Sequence, residues 1–128
     1  MTPGELFEKA FVALRSADLL LQSGDLDGCC NRAYYAMFDA ARAALVADGC
    51  ADQVLGIKTH SGLISFFSLR LVKTGRVSVE LGKSFNKVED LRLLADYRGD
   101  ALELAQAQWA VEQAQLFVHG LQTLFEGK

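Results

Sequence analysis

Two short runs hold the side chains best suited to chemistry. Asn31-Arg32-Ala33-Tyr34-Tyr35 sets an amide and a guanidinium beside the phenol of Tyr35, while Tyr34 falls on the apolar side of the helix. Asp90-Leu91-Arg92-Leu93-Leu94-Ala95-Asp96-Tyr97 sets a second guanidinium one helical turn before a carboxylate and a second phenol. A guanidinium presents a planar fork of donors that matches phosphate. A phenol adds a hydroxyl and a face on which a base stacks. Lys58-Thr59-His60 adds an ammonium and an imidazole where a helix is expected to begin, a place that favours anions. His60 also fits a helix cap or a solvated group, and His119 reads as structural or exposed. Arg92 and Asp96 also fit an ordinary intrahelical ion pair. Together these groups fit phosphate or nucleotide recognition, or else a polar network that only fixes the fold.

Other chemistries lack their signatures. There is no GxxxxGK[ST] loop, no GxGxxG after a strand, no HExxH and no GxSxG. Neither a CxxC pair nor a Cys/His cluster suggests zinc, so no metal and no cofactor is expected. The three cysteines include the adjacent Cys29 and Cys30 and cannot all pair, so they read as small buried groups in a reducing compartment. No run of apolar residues is long enough for a membrane span. The polar, acidic Met1-Thr2-Pro3-Gly4-Glu5 is unlike a secretory leader, so the cytoplasm is the expected location.

The elements that must position these groups are helical throughout. Residues 31–42 are rich in Ala, free of Gly and Pro, and lie between two Gly-containing breaks. A helical wheel from Leu26 gives an apolar arc of roughly 200°, well beyond the stripe that a surface helix needs. Asn31, Arg32, Tyr35, Asp39 and Arg42 fill the remaining edge. This second helix is expected to open at Asp25 or Asp27 and to end near Asp48-Gly49. Before it, Thr2-Pro3-Gly4-Glu5 forms a capping box, and Leu6, Ala10, Ala13, Ala17 and Leu20 make one stripe. The break at Ser23-Gly24 is so short that the two helices should pack antiparallel.

Residues 49–57 read as loop. Leu63 to Leu71 reads as a third helix, with strand as the alternative. A fourth helix starts at Ser78 or Val79 and ends at Tyr97-Arg98-Gly99, with Arg92 on an otherwise apolar stripe or at its edge. A capping box in Asp100-Ala101-Leu102-Glu103 opens a fifth, buried through Ala107, Ala110, Ala114, Phe117, Leu121 and Leu124 or Phe125. The fold expected for residues 1–128 is thus one all-α domain, an up-and-down bundle of four to five helices. The wide arcs of the second and fifth helices exceed what a small bundle covers, which points to a homodimer.

Charge is unevenly distributed. The chain carries −3 overall, so its whole surface does not advertise nucleic acid. Between Arg32 and Arg98, however, ten basic residues face seven acidic ones, and the flanks hold three basic and nine acidic. A basic middle permits a local anionic ligand.

Three segments, Asn31-Arg32-Ala33-Tyr34-Tyr35-Ala36-Met37-Phe38, Lys58-Thr59-His60-Ser61-Gly62-Leu63 and Asp90 to Tyr97, resemble the marked segments of the HEPN family (higher eukaryotes and prokaryotes nucleotide-binding domain). The likeness is to its small stand-alone bacterial and archaeal members and runs from about residue 5 to 125. It implies a five-helix bundle, commonly a homodimer with the site between protomers. Many members are metal-independent endoribonucleases and toxins, and others pair with a minimal nucleotidyltransferase. The family's ribonuclease motif is an Arg, then about four to six residues, then His. Arg92 matches the Arg, but the matching downstream position holds Asp96, after only three intervening residues, followed by Tyr97. A carboxylate of pKa about 4 is a poor general acid at neutral pH, and Arg92 beside it would lower that value further.

The expected function is therefore RNA or nucleotide engagement in a polar cleft, of toxin–antitoxin type, with nuclease activity weak or lost. The alternative is a non-catalytic module that docks a minimal nucleotidyltransferase. Arg92, Asp96 and Tyr97 are the candidate catalytic residues. Asn31, Arg32, Tyr35, Lys58 and His60 are the candidate ligand-binding residues, with Asn31 and Asp96 holding the two arginines in place.

Overall fold

The computed structural model describes residues 1–98 and 101–126, with the Arg98 side chain excepted. Its elements are α1 (Pro3–Ser23), α2 (Leu26–Ala47), α3 (Ala51–Gly56), α4 (His60–Phe67), α5 (Val79–Arg98) and α6 (Leu104–Phe125). One turn of π-helix, Ser68–Val72, extends α4. The fold is an all-α bundle, as expected, and no strand occurs among the described residues.

Local sequence sets the ends of the long helices. Thr2 and Glu5 bond reciprocally at the start of α1: the Glu5 amide donates to Thr2 Oγ1 at 3.1 Å and the Thr2 amide to Glu5 Oε1 at 2.8 Å. Gly24 closes α1 at φ 85°, a conformation that costs any Cβ-bearing residue strain. Of the two aspartates considered, Asp25 caps α2, accepting from the Gly28 amide at 2.8 Å. Asp27 serves elsewhere, accepting from the Leu102 amide at 3.2 Å and so tying the entry of α6 to the first turn of α2.

α2 is the hub, packed against α1, α3, α4, α5 and α6. Its alanines (Ala33, Ala36, Ala40, Ala41, Ala43 and Ala44) are fully buried, which lets the surrounding helices approach closely. Its wide apolar arc is therefore covered within one chain, and the inference of a homodimer from that arc does not hold for this helix. On α6 the expected face is buried from Ala107 to Leu121. Leu124 is exposed and Phe125 is the residue that packs.

Three expectations need correction. Residues 49–57 are not all loop, because Ala51–Gly56 forms the short helix α3, anchored by Val54. A six-residue helix whose cap makes no side-chain hydrogen bond leaves little periodic signal. The third expected helix does not run evenly to Leu71 but widens into the π turn at Ser68. The fifth opens on a different box: the Glu103 amide donates to Gln106 Oε1 at 2.8 Å. Asp100, expected to start it, and Gly99, expected to end α5, lie outside the described residues.

Asp48 closes α2 and joins it to the segment after α4. Arg70 Nε donates to Asp48 Oδ2 at 2.9 Å and Arg76 Nη1 to Oδ1. These bonds, Arg70's first, hold the carboxyl below its ordinary pKa. A depressed pKa contributes stability that is present above about pH 4 and is lost as pH falls through the folded value. Asp48→Asn should thus melt below the wild type at pH 7, and thermal scans down to pH 2 should show the gap closing.

Cys29, Cys30 and Cys50 are free and have no exposed surface. Burial raises the thiol pKa to about 11 at Cys29 and about 12 at Cys30. An aromatic disulfide reagent at pH 8 should find no reactive thiol in the folded chain and three once it is denatured.

Candidate functional site

Arg92 occupies the junction of α5 with α2. The residue is 7% exposed. Its Nε donates to Glu89 Oε1 at 2.8 Å and its Nη1 to Asp96 Oδ2 at 3.0 Å. The guanidinium carbon lies 4.7 Å from the Tyr34 ring centroid and 5.9 Å from that of Tyr35. Burial opposes the charge, and the Glu89 hydrogen bond and charge more than restore it. Asp96 holds Arg92 as expected, but it is the outer partner: its side chain is 39% exposed against 11% for Glu89.

Tyr34 and Tyr35, consecutive on α2 and so about 100° apart around it, both reach the first turn of α4. Tyr34 has no exposed surface, and Tyr35 is half-buried. His60, in the first turn of α4, sits between their hydroxyls. Its Nδ1 lies 2.9 Å from the Tyr34 oxygen, and its Nε2 lies 3.4 Å from that of Tyr35. Phe38, one turn along α2, packs on the same imidazole with ring centroids 4.8 Å apart. Burial, followed by the Glu89 charge, pushes the Tyr34 hydroxyl far above its ordinary pKa, so it remains protonated. Thr59 fixes the backbone beneath His60 by accepting from the Gly62 amide at 2.9 Å.

The other expected site residues lie at different distances from this centre. Arg32 stacks on the outer side of Tyr35, 5.1 Å from its centroid, and reaches Asn31 Oδ1 through two contacts of 3.4 Å. Lys58, two residues before His60, is exposed. Tyr97 is 78% exposed and makes no hydrogen bond among the described residues. Asp39 and Arg42 form a separate pair at 3.3 Å, and burial raises the Asp39 pKa against the pull of Lys9, Arg42 and Arg32. His119 is exposed and meets Phe11 edge-on at 5.0 Å.

Arg92, Tyr35, Arg32 and His60 thus meet, from three helices, on one side of the molecule. The meeting place is a polar cluster whose members contact one another. Surface grooves include one between α1 and α2 that reaches Arg32 and Asp39, and one between α5 and α6 walled by Leu91 and Trp109. Two members of the cluster were not anticipated. Tyr34 reads in sequence as part of the apolar arc, which its burial bears out, but its hydroxyl has a polar partner 26 residues away. Glu89 stands three residues before Arg92, and that spacing is the signal that could have identified it. Among the described residues, no group of His, Cys, Asp and Glu could hold a metal ion.

A buried cation held by an inner and an outer carboxylate gives a stability test. Glu89→Gln should cost about 2 kcal/mol in chemical denaturation, because the guanidinium loses its buried counter-charge. Asp96→Asn should cost less than about 0.5 kcal/mol, because that carboxylate is screened by water.

A family model for the HEPN domain matches residues 4–124. A UPF0332 protein of Gloeobacter violaceus is 36% identical over 122 residues, spanning 92% of this chain and 93% of the relative. A UPF0332 protein of Thermotoga maritima is 35% identical, spanning 92% of this chain and 86% of the relative. A protein of Methanocaldococcus jannaschii described as a "Putative toxin" is 32% identical, spanning 88% of this chain and 81% of the relative.

Proposed function

The chain belongs to the HEPN domain family, and on that premise we propose that it engages RNA or nucleotide phosphate at the Arg92–Tyr35–His60 face. One observation supports this above all. Guanidinium, phenol and imidazole groups from three helices converge around the half-buried ring of Tyr35. Arg32 and Lys58 at its rim supply positive charge for phosphate. The toxin designation of the archaeal relative favours a toxin–antitoxin setting. Leu104, Leu116 and Leu124, exposed along α6, favour a second copy of the chain as a further contact. Cleavage through the Arg92 segment is weak or absent in this reading, because Asp96 stands in place of an imidazole and is engaged with Arg92.

The same ion pairs favour a second reading. Arg92 is neutralised twice within its own helix, which suits a structural post in a module that docks a partner protein.

Fluorescence anisotropy with a labelled single-stranded RNA, in chelator and at a fixed salt concentration, separates the two. RNA engagement predicts saturable binding, weakened about 3- to 10-fold by Arg32→Ala and by Lys58→Ala, each with a shallower salt dependence. The absence of binding at any salt concentration, together with co-purification of an intact nucleotidyltransferase, would establish the docking module instead.

A further inference from the structure

The outer face of α6 is unlike a solvated helix surface. Between Leu104 and Phe125, Glu112 is the one carboxylate, and there is no Lys or Arg. A helix that meets water usually carries charge on that side. Here the side holds glutamines and leucines, and Leu104, Leu116 and Leu124 are each more than half exposed. Few charges among large apolar and aromatic side chains is the composition of the centre of an interface.

The face also has a pattern. Trp109, Leu116 and Thr123 are spaced seven apart, two helical turns each, and so stand on one line. Trp109, the one tryptophan of the chain, is half-buried and walls a groove of about 420 Å³ against Leu91. Beyond Leu116 the same face opens into a larger groove of about 720 Å³, bordered by Leu116, Gly120, Thr123 and Leu124. Gly120 adds no side chain to it. The stripe thus has a large ring towards one end and a hollow towards the other, with Leu116 midway.

We propose that this stripe receives a second copy of the chain, the two α6 helices lying antiparallel about a two-fold axis at Leu116. The inference deepens the second-copy contact suggested above and is independent of the RNA reading. A two-fold contact needs a surface complementary to itself, and this register supplies one. Leu116 meets the partner's Leu116. Trp109 stands opposite the partner's Thr123, so its ring enters the hollow beside Gly120. Glu112 falls opposite Gly120 and next to the partner's His119, whose ring N–H donates to it. A nearly neutral face laid on its own copy strands no charge, whereas a strongly charged partner would find no counter-charge on α6 beyond Glu112. α6 contributes no side chain to the Arg92–Tyr35–His60 face, so each copy keeps its own. That differs from a site shared between protomers, which the family resemblance implies.

The test combines sedimentation of the full chain over a range of concentrations with mild oxidation of variants that carry one surface thiol. Cys29, Cys30 and Cys50 have no exposed surface, so the introduced thiol is the one that reacts. The wild type should be dimeric at micromolar concentration. Leu116→Glu, at an exposed position, should keep its helical circular dichroism and dissociate at least about 10-fold more readily. Leu116→Cys should link to its own copy, because residues on the axis face each other within disulfide reach. Thr123→Cys, whose two copies would stand about 21 Å apart, should not, and neither should Lys58→Cys at the rim of the polar cluster. A monomer at every concentration overturns the second copy and leaves the RNA reading untouched. A dimer that Leu116→Glu does not weaken, or in which Lys58→Cys links and Leu116→Cys does not, overturns the α6 contact. Self-linking of Thr123→Cys, or failure of Leu116→Cys to link within a dimer, overturns the antiparallel register.

Discussion

A guanidinium buried between helices is the constraint on which the rest of this structure depends. Removing Arg92 from water would be prohibitive without counter-charge, and the protein supplies three kinds of compensation. Glu89 gives a buried ion pair, Asp96 an exposed one, and the Tyr34 and Tyr35 rings a cation–π surface. Only the last reaches outside α5, so the two rings determine where α5 lies on α2. Tyr34 is then held from both sides, by Arg92 across its face and by His60 at its hydroxyl. That ring, together with Phe67 of α4 meeting Phe85 of α5, places the two helices relative to each other. A substitution at Arg92 is therefore felt at His60.

How much of this was legible beforehand follows from how local each interaction is. Caps and breaks depend on neighbours three or four residues apart, and Thr2, Glu5, Gly24 and Asp25 behave as their spacing implies, whereas the cap of α4 is Thr59 and not His60. Burial on α2 follows from its wheel, because a helix with so wide an apolar arc must sit in the middle of a bundle. The same arc carries no information on oligomerisation. A wheel shows how much surface must be covered and not whether the cover comes from the same chain. Here, five other helices supply it.

The site was legible as a set of residues and not as an arrangement. Arg92 and Asp96 share a helix, so their pairing is visible from spacing alone. Glu89 is equally local, but it stands beside Asp90, and sequence alone does not tell which of two adjacent carboxylates faces the guanidinium. Tyr34 and His60 meet across 26 residues, and no periodicity encodes that contact. Tyr34 also shows why apolar patterning hides chemistry: its ring belongs to the core while its hydroxyl belongs to the cluster. The resemblance to a family named the right segments without stating which side chain in each faces inward. The exposed Tyr97 and the buried Tyr34 are ranked in reverse by motif position alone.

Charge counting also changes meaning once ownership is known. The excess of basic residues between Arg32 and Arg98 suggests a positive field, yet much of it is engaged internally. Arg42 lies on Asp39, Arg70 and Arg76 on Asp48, and Arg92 on Glu89 and Asp96. Near the cluster, Arg32 and Lys58 remain as cations without a carboxylate within bonding distance among the described residues. Two such charges at the rim give a weak field at physiological salt, where screening acts over about 8 Å. An anion held at this face must therefore draw on aromatic faces and oriented hydroxyls as much as on charge. That is the property to expect of a site built around tyrosines and an imidazole, in place of a lysine-rich groove.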